Sequence, residues 1–364
     1  MAEAYLAEPK TPPPLNIPHS DDIVKVSIID STTYLSLDIS PFLKPIYKGK
    51  EHLTCPAFSF LIEHKSGKKI LFDLGVRKDW GNLVPSTAKH IKELGWTVKV
   101  DKNIAEILTE HGVEPESIES VIWSHHHWDH NGDMTTFPGT TELVVGPGFK
   151  GQYLPGYPTN KDAAVLQSDF DNRNVREIDI ASEGKGLKIG RFEAYDYFGD
   201  GSFYLLHTPG HSVGHICGLA RTSTSPPSFV LMGGDACHHG GEFRPSDYLP
   251  LPKEIKPSPI AHLSPACPGH LLQQMHREKS ATTPFYQLTE TFAHDTKVAE
   301  WTISGLQEFD ASDEVFIVLA HDESLVNFIE FYPKCINDWR KEDYANKARW
   351  RFVGDYEEAV ADVK

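Results

Sequence analysis

The sequence predicts an α/β fold, and three observations predict it. Short apolar runs at 119–124, 203–207, 229–232 and 315–319 read as buried strands. Each runs into a polar loop carrying histidine or aspartate, and strand-end loops are where α/β scaffolds place chemistry. Segments such as 103–111 carry apolar residues at helical spacing. The chain has 364 residues, 40% of them hydrophobic, which is ample for a sizeable core.

Taken in order, residues 1–20 hold Pro9, Pro12, Pro13, Pro14 and Pro18 and read as an extended N-terminal arm. Residues 21–364 are then expected to form one domain. The first eight residues lack a basic and an apolar region, so no signal peptide is expected. Residues 24–37 suit a strand. Residues 57–63 and 69–72 flank Lys65-Ser66-Gly67, a hairpin signal, and the second strand enters Asp73-Leu74-Gly75. The helix at 103–111 aligns Ile104, Ile107 and Leu108, with Gly112 as its stop. The later strands enter Thr208-Pro209-Gly210-His211, Gly233-Gly234-Asp235 and Ala320-His321-Asp322. From 240 to 284 the chain is rich in proline and without periodicity, which predicts a lid insertion at about 241–285 that folds over the site. Helices are expected at 289–307 and within 339–350.

The formal net charge of −16 argues against nucleic acid or an anionic membrane as partner. No run of 18 apolar residues predicts a membrane span. The five scattered cysteines do not form a disulfide framework and point to a reducing, cytoplasmic setting.

The chemistry concentrates in His125-His126-His127-Trp128-Asp129-His130, followed by the turn signal Asn131-Gly132. Imidazole nitrogens and a carboxylate suit zinc and neighbouring divalent metals. Four such ligands in one loop exceed what one catalytic metal takes from a single segment, so two metals are expected. His125, His127 and His211 make one set. Asp129, His130 and His321 make the other, and Asp235 can bridge them.

These motifs, in this order over residues 57–322, resemble the metallo-β-lactamase fold superfamily of binuclear metallohydrolases. The resemblance implies an αββα sandwich of two mixed sheets flanked by helices. Within the superfamily, Thr208 to His215 and Gly233 to Cys237 look most like N-acyl homoserine lactone lactonases and fungal lactonase or lactamase-like enzymes. Those lactonases carry a tyrosine three positions beyond the bridging aspartate, where this chain has His238. An imidazole there can assist the same carbonyl oxygen with a different reach and pKa. The resemblance implies hydrolysis of a small cyclic ester or cyclic amide by a metal-bridging hydroxide, with Asp129 and His238 as catalytic residues and zinc as the metal. Asp73 is expected to orient a ligand histidine.

Plainer roles are expected for other residues. His126 packs or faces solvent, His215 bonds to nearby backbone, and Cys237 is a small buried group. Trp128 suits either core or pocket wall. The alternative function is a thioesterase of glyoxalase II or polyketide-release type, since the same hydroxide serves thioesters. A mononuclear iron oxygenase of thiols is disfavoured by the complete second ligand set. The oligomeric state is left open.

Overall fold

The computed structural model describes residues 4–363. Residues 1–3 of the expected arm, and Lys364, lie outside the described residues. The first sheet orders its strands Val24–Ile29, Ser59–His64, Lys69–Phe72, Ile118–Ile122, Glu142–Val145 and Val175–Glu177. Its first three strands are antiparallel neighbours and the rest pair in parallel. The second sheet orders Lys188–Ile189, Phe192–Asp196, Phe203–His207, Ile216–Thr224, Pro227–Met232 and Val315–Val318. Only its last pair is parallel.

Strand alternation sends successive side chains to opposite faces, and that builds the layers. Phe60, Ile62, Ile70 and Phe72 share one core with Leu205, Val230, Met232 and Phe316, so the two sheets face each other. Leu61, Leu71, Val121 and Leu143 turn outward and pack with Ile104, Ile107 and Leu108 of helix Ile104–Glu110. Leu206, Leu219, Leu231 and Ile317 turn outward on the other side, toward Ile303, Leu306 and Phe309 of helix Thr296–Asp310. The architecture is the expected αββα sandwich.

The parallel pairings set the site. Lys69–Phe72 and Ile118–Ile122 run the same way and end side by side. Pro227–Met232 and Val315–Val318 do so in the second sheet. Phe203–His207 shares their direction, because both it and Pro227–Met232 are antiparallel to Ile216–Thr224. The loops leaving these five strands meet at one edge of the sandwich, where the Ile216 N–H donates to Ser124 O at 2.9 Å.

Several expectations change. Residues 24–37 form two strands, Val24–Ile29 and Thr33–Asp38, with a left-handed Thr32 (φ 57°) at the break. The second of these centres a separate sheet with His52–Cys55 and Thr97–Val100. The helix expected at 289–307 spans Thr296–Asp310, because the Asp295 side chain caps it by accepting the Val298 N–H. The expected terminal helix within 339–350 is only Tyr344–Ala348, followed by the 3₁₀ turns of Arg351–Tyr356. The arm is extended but not loose. Leu6 and Lys10 donate backbone bonds to Leu251 and Asp247, Gly190 donates to Leu15 O, and Arg221 donates to Pro18 O.

Candidate metal centre and substrate cavity

The first loop leaves its strand through Asp73, which has φ of 58°. Aspartate enters that region more readily than most residues because its side chain can bond nearby backbone. Here the left-handed turn aims the carboxylate inward. Oδ1 accepts the Ser124 N–H at 2.6 Å, and Oδ2 lies 2.7 Å from Ser124 Oγ and 2.9 Å from His130 Nδ1. His321 is fixed in the same manner, its Nδ1 donating to Pro56 O at 2.6 Å. In both rings the outer nitrogen is engaged, so Nε2 points inward toward Asp235. Burial opposes protonation of His130, but the charges of Asp235 and Asp73 raise its pKa well above the usual histidine range.

The structure brings all seven expected ligands together. His125, His127, His211 and Asp235 form one group and Asp129, His130 and His321 a second, each with its donor atoms within 4.8 Å of one another. Asp235 lies between the groups and divides its oxygens. Oδ2 lies 3.4 Å from Nε2 of both His125 and His211, whereas Oδ1 lies 3.0 Å from His130 Nε2 and 3.1 Å from His321 Nε2. His321 Nε2 is also 3.6 Å from Asp129.

Beneath Asp235, His215 serves the backbone. Its Nδ1 donates to Thr208 O at 2.9 Å and its Nε2 accepts the Asp235 N–H at 3.1 Å. Burial pushes the His215 pKa down to about 4, so the ring is neutral as this pattern requires. Gly234 is left-handed (φ 49°), and a Cβ there would sit 3.0 Å from His215 Nε2 and from Ser124. Only glycine lets the turn approach both.

The residues fit divalent metal ions. His125 Nε2 is buried with no hydrogen-bond partner. Ring nitrogens face each other at 3.0 Å between His211 and His127 and at 3.2 Å between His130 and His321. Lone pairs converging in this way need a cation or a shared proton between them. Burial drives the pKa of His125 and of His211 well below the usual histidine range, which keeps both rings neutral and ligand-competent. For Asp235 burial opposes ionisation, but His130, His321, His238 and His125 hold the carboxyl well below its ordinary value.

A cavity of about 510 Å³ opens beside the cluster. His127, Asp129, Asp235, His238 and His321 line its floor, and Leu35, Leu37, Phe42, Leu53, Trp96, Trp128 and Phe292 line its walls. Helix Pro85–Glu93 closes one side with Ser86, Thr87, His90 and Ile91.

The sequence model of the metallo-beta-lactamase superfamily matches residues 53–223. Over 97% of its length the chain is 46% identical to gamma-lactamase FDB1 of Fusarium pseudograminearum (strain CS3096), covering 88% of that protein. The chain belongs to the metallo-β-lactamase superfamily. It is 44% identical to metallo-hydrolase mfmC of Annulohypoxylon moriforme, over 97% of this chain and 92% of that protein. Its fold matches that of B. thuringiensis AiiA with N-decanoyl-L-homoserine bound, at a TM-score of 0.58 and 21% identity, over 86% of this chain and 100% of that one. This superfamily member is a metal-dependent hydrolase.

The hydrolase departs from expectation at its lid. Residues 241–285 line none of the substrate cavity. Their apolar side chains Phe243, Leu251, Ile255, Ile260, Leu272 and Phe285 are buried in the core outside the second sheet, with Phe352, Val353 and Tyr356. Proline-rich chain builds this layer without regular periodicity, which is why it looked like a lid. Trp128 takes the wall role, one of the two expected for it, and the rest of the wall comes from the small sheet, Phe42, helix Pro85–Glu93, Trp96 and Phe292, which the sequence had not tied to the site. The apolar alternation of Leu35, Leu37 and Leu53 was the available signal.

Two further histidines lie outside the two groups. His126 leaves the cluster and stacks on Tyr153 at 4.0 Å. His238 lies outside both ligand groups, on the cavity floor, with Nε2 3.2 Å from Asp235 Oδ2. Cys237 is fully buried in the outer core. No helix among the described residues is long and apolar enough to cross a membrane.

Proposed function

We propose that this chain hydrolyses a lactone or lactam whose apolar body fills the cavity while its ring carbonyl lies over the seven-residue cluster. The observation that carries this is the placement of both ligand groups on the floor of a mostly apolar cavity. The 46% identity to a gamma-lactamase supports a cyclic amide in particular. Two divalent ions, with zinc the best match to the nitrogen-rich donor set, would be held by His125, His127, His211 and by Asp129, His130, His321, with Asp235 shared. Bound there, they supply Lewis acidity and a nucleophilic water at neutral pH.

The protein's own groups do the rest. Asp73 and the Pro56 carbonyl hold His130 and His321 in one tautomer. Asp129 faces the cavity and can accept a proton from the attacking water. His238 can donate a hydrogen bond to the developing oxyanion, or a proton to the departing nitrogen of an amide ring. The apolar walls exclude bulk water from the reacting carbonyl. We place the enzyme in the cytoplasm, consistent with five cysteines that form no disulfide. Residues 21–364 would act as one catalytic domain with the arm strapped to it.

The test is a hydrolysis screen of metal-replete protein against lactones, lactams and thioesters, alongside elemental analysis. The reading requires about two divalent ions per chain, loss of turnover on chelation, and a preference for cyclic substrates. A preference for thioesters, or one tightly bound ion with none added on titration, would sink it.

A further inference from the structure

Glu242 is 3% exposed and sits four residues beyond His238. Its Oε1 accepts the His238 N–H at 2.6 Å and the His239 N–H at 2.8 Å. The same oxygen is 3.9 Å from His238 Nδ1, the ring nitrogen turned away from Asp235. One carboxylate oxygen therefore fixes the backbone on both sides of the His238 carbonyl and stands behind its ring. Glu242 Oε2 is buried with no hydrogen-bond partner. A buried carboxyl with an idle oxygen costs stability, and a hydroxyl or amide would cap this turn with less desolvation. A capping box on the turn Gly240–Glu242 accounts for the backbone bonds, but glutamine would serve it as well and leave no buried charge.

The same turn is braced from outside. His239 Nδ1 accepts the Gly241 N–H at 2.9 Å, which leaves its Nε2 to donate to Asp355 at 3.0 Å. Asp355 is held by Lys50 at 2.8 Å, and Lys50 is only 8% exposed. A Cβ on Gly241 would fall 2.5 Å from the Tyr356 hydroxyl, so the turn lies directly against the segment Arg351–Tyr356. Glu242, His239 and Asp355 do not line the substrate cavity, whereas His238 does.

We propose that Glu242 is a positioning residue. It locks the 238–242 turn so that the His238 imidazole stays beside Asp235 and over the cavity floor, and the His239–Asp355–Lys50 chain braces that turn from the C-terminal segment. This rests on the reading of His238 as a group that acts on substrate. It adds that His238 acts only from a turn held by a buried carboxylate that never meets the substrate.

The experiment compares Glu242→Leu, Glu242→Gln, His238→Ala and the double variant His238→Ala/Glu242→Leu, each with metal content measured. Glu242→Leu removes the acceptor and should lower kcat by about 10- to 100-fold, with KM within about twofold and metal content unchanged, a loss confined to the reacting complex. Glu242→Gln keeps an oxygen for both N–H groups and should stay within about threefold of native kcat. In the His238→Ala background Glu242→Leu should add less than about twofold, because the two residues act as one unit. A crystal structure of Glu242→Leu should show the His238 ring moved off Asp235. Should Glu242→Leu not fold, Asp355→Ala takes its place in the same cycle. An undiminished Glu242→Leu loss in the His238→Ala background, or a native kcat in Glu242→Leu, overturns the proposal. A native rate in His238→Ala overturns the underlying reading of His238, whatever Glu242 does.

Discussion

His130 Nδ1 lies 2.9 Å from Oδ2 of Asp73, a residue 57 positions earlier and just past the end of the strand Lys69–Phe72, and His130 Nε2 faces His321 Nε2 at 3.2 Å. The contact spans two strand-end loops. It engages the outer ring nitrogen and so turns Nε2 toward His321 and Asp235. Asp73→Ala should free the His130 ring and lower metal affinity by about 10- to 100-fold, the usual scale for a carboxylate that orients a ligand histidine. Metal titration of the variant checks this. Unchanged affinity would show that Asp73 serves only the Ser124 backbone.

Asp235 faces one ligand group with each oxygen. Asp235→Asn keeps the shape, but it offers one carbonyl oxygen and an amide that cannot ligate, and it removes a charge that offsets two cations. The expected result is loss of the second metal and a fall in turnover of at least about 100-fold. Two metals retained at near-native turnover would refute the bridging role.

Much of this site was legible because its candidate ligands sit in contiguous motifs. The His125 to His130 loop supplies four of the seven candidate donors within six residues, and the rest lie where apolar strands end. The two sheets followed from the resemblance that those motifs carry, and the structure shows them in the way Phe60, Leu61 and Ile62 alternate between two cores. The cavity walls were less legible, because Leu35, Trp96 and Phe292 come from separate segments whose proximity only the tertiary fold creates. Glu242 and Asp355 were invisible for a related reason. Their meaning lies in contacts with His238 and His239, and the His239–Asp355 pair spans 116 positions. The 241–285 stretch misled because proline content reports irregular backbone and says nothing about which side of a sheet it covers.

The walls make a prediction of their own. Trp96 lines the cavity and packs 6.1 Å from Phe42 and 5.9 Å from His90, ring centre to ring centre. Trp96→Ala removes apolar area that a substrate's body would cover. It should raise KM by about 10- to 100-fold for substrates with a large apolar substituent, following the roughly 1.5–3 kcal/mol worth of a buried large side chain. A small unsubstituted ring should lose far less. Equal losses on both, measured by steady-state kinetics, would place Trp96 in the scaffold instead of the recognition surface.

The last prediction concerns pH and a buried acid outside the site. Burial pushes the Asp169 carboxyl up to about 7; nearby Arg77 pulls the other way, and Asp133 adds repulsion. Asp169 is 1% exposed, and its Oδ1 has no hydrogen-bond partner. It stands beside Asp133, which caps the 3₁₀ turn Met134–Thr136 directly after the ligand loop and is tied to Arg77 at 3.3 Å. The folded pKa lies above the unfolded value of 3.8. Between those two values the folded chain keeps a proton that the unfolded chain has released. This group's contribution to stability therefore declines as pH rises from about 4 to about 7 and is flat beyond, a difference on the order of 4 kcal/mol at most. Asp169→Asn cannot ionise and should lack that decline. Urea unfolding at pH 4.5 and pH 8 should show the variant gaining on the native protein at the higher pH, since other titrating groups cancel in the comparison. Parallel pH profiles for the two proteins would mean that Asp169 ionises in the fold as freely as in the unfolded chain.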